Sequence, residues 1–143
     1  MDLLIVSIND SKELTLLVSK IYKSMPVIVL DRAVEGYDYS LYIGPDNEKI
    51  GIQAGNLVVN LVGKGEGKVL EVQGVIDSSP VIARSNGFRE VLKKHDNIVI
   101  SKTIVSNWQR DEAEDKVTEA LKEDKSINVI FAHNDYMALG AYK

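Results

Sequence analysis

The chain contains no cysteine, which removes any disulfide framework and any thiol nucleophile. It has little aromatic content: 6% of residues, with Trp108 the single tryptophan. It has two histidines, His95 and His133. The triplet His133-Asn134-Asp135 lacks metal-ligand spacing, so neither a metal nor a cofactor is expected. Basic residues are not clustered. The seventeen Lys and Arg are scattered, the longest run is Lys93-Lys94, and the net charge is −4. A nucleic-acid-binding face needs a concentrated positive patch to meet phosphates, so direct nucleic-acid binding is not expected. No apolar run approaches the ~20 residues of a membrane-spanning helix. The opening MDLLIVSIND has neither the basic start nor the apolar stretch of a signal peptide. Enzyme signatures are missing as well. There is no Gly-x-Ser-x-Gly elbow, no dinucleotide fingerprint and no P-loop. The glycine-rich GKGEGK, residues 63–68, precedes an apolar run, whereas phosphate cradles follow strands and open helices. No catalytic residue is therefore assigned.

What is present is alternation. The apolar runs LLIVSI, PVIVL, LYI, KVLEV, NIVISKTI and INVIFA read as strands, and amphipathic stretches separate most of them. The first stretch places Leu14, Leu17, Val18 and Ile21 on one face, with Asp10 and Glu13 spaced for a capping box. The second places Ile50, Ala54, Leu57, Val58 and Leu61 inward. The third opens on Ser79 as N-cap, with Pro80 at the first helical position. The fourth places Ala113, Val117, Ala120 and Leu121 inward. Strands that are apolar on both faces, alternating with helices over short connections, predict an α/β protein of doubly wound parallel sheets with helices on both faces. A break at Gly44-Pro45-Asp46 divides the chain into residues 1–45 and 46–143. A chain that opens in a strand and closes in a helix is expected to be a piece of something longer.

Ligands of open parallel sheets bind beyond the carboxyl ends of the strands. The residues just past the apolar runs are therefore the candidates: Asp31-Arg32, Asp46, Arg84 on the following helix, Asn107 and Trp108, and His133-Asn134-Asp135. Carboxylate, guanidinium and amide groups match the donor and acceptor pairs of sugar hydroxyls. An indole face suits the apolar C–H face of a sugar ring. Each residue also has a plainer reading. Asp31-Arg32 suits a solvated turn, and Asp46, Asn134 and Asp135 suit helix caps. Arg84 suits a helix surface, Trp108 a cover over the core, and His133 a polar loop.

Four segments, VIVLDR, IGPDNEKIGIQAG, GKVLEVQGVIDSSPVIARSNGF and VIFAHNDYMALGA, resemble the periplasmic sugar-binding proteins of the ribose-binding type. The nearest resemblance is to the sugar-sensing domains of Bacteroides-style hybrid two-component sensors. The resemblance implies a type I periplasmic-binding-protein fold, truncated at both ends. It implies a partial first lobe over 1–45 that lacks its first strand and helix. It implies a second lobe over 46–143 that lacks its C-terminal strands. Family members close a sugar between two lobes. Carried over by position, Asp31, Arg32, Arg84, Trp108 and Asn134 become ligand-binding residues and Asp46 a hinge or crossover residue. The implied function is monosaccharide binding in the periplasm, as a two-component sensor domain or an ABC transport receptor. The downstream partner is then a kinase or a permease. The alternative is the effector domain of a lac-repressor-type regulator. An incomplete first lobe leaves open sheet edges, through which the fragment is expected to dimerise.

Overall fold

The computed structural model describes residues 1–8 and 14–143 in full and the backbone of 11–13. The expected Asp10–Glu13 capping box lies outside the described residues. By compactness the chain divides into Met1–Asp46 with Ser78–Pro80, and Asn47–Asp77 with Val81–Lys143.

The first unit contains β1 (Leu4–Ser7), α1 (Ser11–Tyr22), β2 (Val27–Leu30) and β3 (Leu41–Ile43). Its strands are parallel in the order β1-β2-β3. Side chains alternate across a strand, and the alternation separates two faces. Val27 and Val29 are fully buried and pack with Ile8, Val18 and Val34; Leu4, Val6, Leu14 and Ile21 flank them. The opposite face carries Ile28 and Leu30, half-buried, with Ile5 57%, Leu41 49% and Ile43 54% exposed. Leu17, expected inward on α1, is 51% exposed. The α1 stripe that packs is narrower: Leu14, Val18 and Ile21.

The second unit contains α2 (Asn47–Val62), β4 (Gly67–Gln73), α3 (Ser79–Leu92) from Val81 onward, β5 (Ile98–Val105), α4 (Arg110–Glu123), β6 (Val129–Ala132) and α5 (Asp135–Ala141). The parallel strands run in the order β5-β4-β6. Central β4 is buried on both faces because helices cover both. Val69 faces one side and packs with Val58 of α2 and with Phe88 and Leu92 of α3. Leu70 and Val72 face the other and pack with Ala113, Val117 and Ala120 of α4 and Met137 of α5. The apolar face expected of α4 is the one that packs, with Leu121 half-buried against the same cluster.

Three local features depart from the sequence expectation. The first is the buried face of α2, which is Asn47, Gly51, Gly55 and Val58. Leu57 and Leu61, expected inward, are 58% and 76% exposed, and Ile50 lies on the same outer side. Glycines displace the leucines because α2 and α3 approach backbone to backbone. A Cβ on Gly51 would overlap the Arg84 carbonyl oxygen, and one on Gly87 would overlap the Glu48 carbonyl oxygen. The second is the start of α3, where Ser79 is the first helical residue and its buried hydroxyl makes no hydrogen bond, so the expected side-chain cap is not formed. The third is a bulge. Val69 pairs with Ile100 but Leu70 pairs with Lys102, leaving Ser101 as an extra residue in β5. An inserted residue inverts the side-chain alternation beyond it. Ile98 and Ile100 therefore join the cluster of Val69 and Phe88, whereas Ile104 joins that of Leu70 and Val72. Thr103 is thereby turned toward Glu71 on β4.

Gly87→Ala is expected to destabilise the chain by about 1–3 kcal/mol through overpacking of the α2–α3 contact. Gly65→Ala, where the added Cβ meets only the Val62 carbonyl oxygen at 3.3 Å, should shift stability far less. Urea unfolding midpoints of the two variants check this.

Candidate functional site

The second unit gathers several candidates beyond the carboxyl ends of its strands. Past β4 lies Gly74, past β5 lies Trp108, and past β6 lies His133-Asn134. The turn that presents Trp108 is unusual. Asn107 (φ 48°) and Trp108 (φ 65°) both take left-handed backbone conformations, which cost roughly 1–2 kcal/mol each for side chains other than glycine. Backbone hydrogen bonds brace the turn, from the Ser106 N–H to the Gln73 carbonyl at 2.8 Å and from the Gln109 N–H to the Ser106 carbonyl at 2.7 Å. Gly74 makes room for the indole, because a Cβ there would overlap the ring. The ring packs partly against the cluster of Leu70 and Val72. Trp108 is thus a partial cover over the core and also a residue of the rim.

Arg84 lies against that ring, with its guanidinium carbon 5.9 Å from the ring centroid, a cation–π arrangement. Its Nε donates to Asn47 Oδ1 at 2.9 Å, and Nη1 donates to the His133 carbonyl oxygen. A guanidinium is a rigid fork with up to five N–H donors. Contacts from α2, from the turn after β5 and from the turn after β6 fix this one in direction. Asn134 is the N-cap of α5, its Oδ1 accepting from the Met137 N–H at 2.9 Å. The capping reading therefore holds for this residue. The cap also sets the amide orientation, directing the nitrogen end away from the Met137 N–H.

Asp31 and Arg32 belong to the first unit. Asp31 sits past β2 in a left-handed conformation (φ 67°). Its N–H donates to the Ile43 carbonyl at 2.8 Å, and its carbonyl accepts from the Tyr42 hydroxyl at 2.8 Å. The Arg32 N–H donates back to the Leu30 carbonyl at 2.9 Å. Asp46 is exposed, immediately before α2.

The polar centre that sequence reading missed lies beneath the rim. Glu71 is fully buried on β4. His133, expected to be a polar loop residue, is buried too. Its ring tilts against Phe131, with centroids 4.9 Å apart, and its Nε2 lies 3.1 Å from Glu71 Oε1. Arg89 of α3 pairs with the other carboxylate oxygen, and the Thr103 hydroxyl lies 3.4 Å from it. Burial alone would raise the Glu71 pKa. Hydrogen bonds from His133, Ser85 and Gln73, with the charge of Arg89, outweigh burial and hold the carboxyl at about 2. One signal was available in the sequence: a carboxylate inside the apolar run KVLEV. A buried carboxylate needs donors.

Residues 1–143 match the periplasmic binding protein domain family, and the chain belongs to it. It is 32% identical over 123 residues to the galactofuranose-binding protein YtfQ of Escherichia coli K12, covering 82% of this chain and 39% of that protein. It is 29% identical over 141 residues to the ribose import binding protein RbsB of Bacillus subtilis 168, covering 98% of this chain and 45% of that one. Among solved structures it superposes on the fructose-binding periplasmic domain of the hybrid two-component system BT1754. The TM-score is 0.92 at 36% identity, over 99% of this chain and 47% of that one. The chain spans less than half the length of each of these relatives. Their fold is the type I periplasmic-binding-protein fold expected from the sequence.

The buried carboxylate makes stability depend on pH. A folded-state pKa near 2, below the ordinary value of 4.5, means that ionised Glu71 contributes fully above pH 4.5. The contribution is lost as pH falls from there toward 2. Denaturant unfolding across that interval should show a stability slope that Glu71→Gln flattens, while lowering stability at pH 7. An unchanged slope in the variant would place the acid sensitivity elsewhere.

Proposed function

We propose that this chain is the ligand-binding portion of a periplasmic receptor that binds a monosaccharide, acting by binding and conformational change rather than by catalysis. The observation that carries the reading is Arg84. It is a cation held at the strand ends by Asn47, the His133 carbonyl and the Trp108 ring, in a chain whose relatives are named for galactofuranose, ribose and fructose. In this reading Arg84 donates to sugar hydroxyls and Trp108 meets the sugar ring. Asn134 contributes its amide nitrogen, because its oxygen caps α5. Asp31 and Arg32 are the contribution of the first unit, as a partial first lobe. Residues 46–143 form the second lobe, with Asp46 as a crossover residue. A downstream kinase or permease receives the signal or the cargo. The similarity to transport receptors and to a sensor domain supports this reading over a repressor effector domain.

Hydrogen bonds to charged groups are worth about 1.5–3 kcal/mol, and tenfold in affinity is about 1.4 kcal/mol. Arg84→Ala and Asp31→Ala in the full-length protein should each weaken monosaccharide binding at least about tenfold by calorimetry. Trp108 emission should change on adding the bound sugar. Unchanged affinities would remove Arg84 and Asp31 from the site, and a silent Trp108 would leave it only its core role.

The open sheet face of Ile5, Leu41 and Ile43 gives residues 1–143, expressed alone, a reason to self-associate. Light scattering on a size-exclusion column should show a dimer or larger species. A clean monomer would contradict this.

A further inference from the structure

Arg84 is directed by a main-chain oxygen, and a main-chain oxygen points wherever its peptide is held. This oxygen lies on the His133–Asn134 peptide, and both residues that flank it are held. The His133 N–H, in the preceding peptide, donates to the Val72 carbonyl at 3.0 Å, tying His133 to β4. Its ring is tied to β4 a second time through Glu71 and lies against Phe131. The following residue, Asn134, is committed to capping α5. The other end of the chain of contacts returns to the helix that carries Arg84. Glu71 binds Arg89 of α3, and Arg89 Nε donates at 3.0 Å to Ser85, the neighbour of Arg84. Gln73 Nε2 reaches the same Ser85 hydroxyl at 3.3 Å. The buried carboxylate therefore joins α3 and the β6–α5 turn, the two segments that meet at the Arg84–His133 hydrogen bond.

We propose that Glu71 and His133 are positioning residues for Arg84: the buried Glu71–His133 contact sets the His133 carbonyl so that the Arg84 guanidinium is presented in one orientation to the ligand. The inference rests on the proposed role of Arg84 in sugar binding, and its test separates the two. A purely structural role predicts a loss of stability with no special effect on Arg84. A positioning role predicts an effect that passes through Arg84.

The first readout is the Arg84 Nε–H resonance of the unliganded protein, assigned by its disappearance in Arg84→Lys. It should be well resolved in the wild type and in His133→Gln, whose amide N–H2 still donates to Glu71. It should collapse toward the shift of solvated arginines in His133→Leu. If His133→Leu does not fold, Glu71→Gln serves in its place, with a displaced resonance expected. A resonance unmoved in the folded variant overturns the proposal, because Asn47 and Trp108 then suffice to hold the guanidinium.

The second readout is affinity for D-fructose, D-ribose, D-galactose and D-allose in the full-length protein. His133→Leu, or Glu71→Gln in its place, should weaken the tightest of these at least about tenfold. His133→Gln should restore most of it. The loss should vanish in an Arg84→Ala background. Equal losses in both backgrounds overturn the proposal. If Arg84→Ala alone leaves affinity unchanged, the ligand-binding role of Arg84 falls, and the Nε–H resonance still decides the positioning.

Discussion

A carboxylate removed from water must be met by donors, and in this chain that requirement joins a helix, two strands and a turn at one buried point. Glu71 sits on β4, buried between helices, where an unpaired charge would cost several kcal/mol or more. Its partners come from several elements: Arg89 and Ser85 from α3, Thr103 from β5, Gln73 from β4 itself, and His133 from the turn after β6. The bulge at Ser101 turns Thr103 to this side, and the α3 crossing brings in Arg89. The apolar core fills the second unit. The carboxylate ties helix α3 and the β6–α5 turn to a common point on the central strand.

The rim inherits its geometry from that point. Arg84 stands five residues before Arg89 on α3, and its guanidinium reaches the His133 carbonyl on the other side of the network. Gly51 and Gly87 let α2 and α3 approach at backbone distance, which brings Asn47 to Arg84 Nε. Gly74 leaves the space that the Trp108 ring occupies. A flexible arginine loses rotamer entropy when it binds a ligand, so holding it beforehand lowers the cost of association. This suits the proposed receptor role.

Much of this was legible from the residues. The strand–helix alternation and the α4 face followed from periodicity, because those elements bury apolar side chains in the ordinary way. Four segments in order pointed to the periplasmic sugar-binding proteins, and Arg84 stood out as a polar residue near the strand ends. The buried face of α2 was misread because hydropathy ranks Leu57 and Leu61 above Gly51 and Gly55. A glycine is buried when two backbones need to touch, and that need arises only from packing. The Ser79 cap was expected from a serine standing just before Pro80, and its hydroxyl found no partner.

The sequence by itself determined the class of fold, the positions of the strands and the places where polar residues interrupt them, since these depend on local period and composition. The pairing of Glu71 with His133, sixty-two positions apart, was decided only by the tertiary structure. So were the inversion of β5 at Ser101 and the orientation of Arg84. Each depends on which elements become neighbours, and a carboxylate in an apolar strand announces that it needs donors without saying which side chains will supply them.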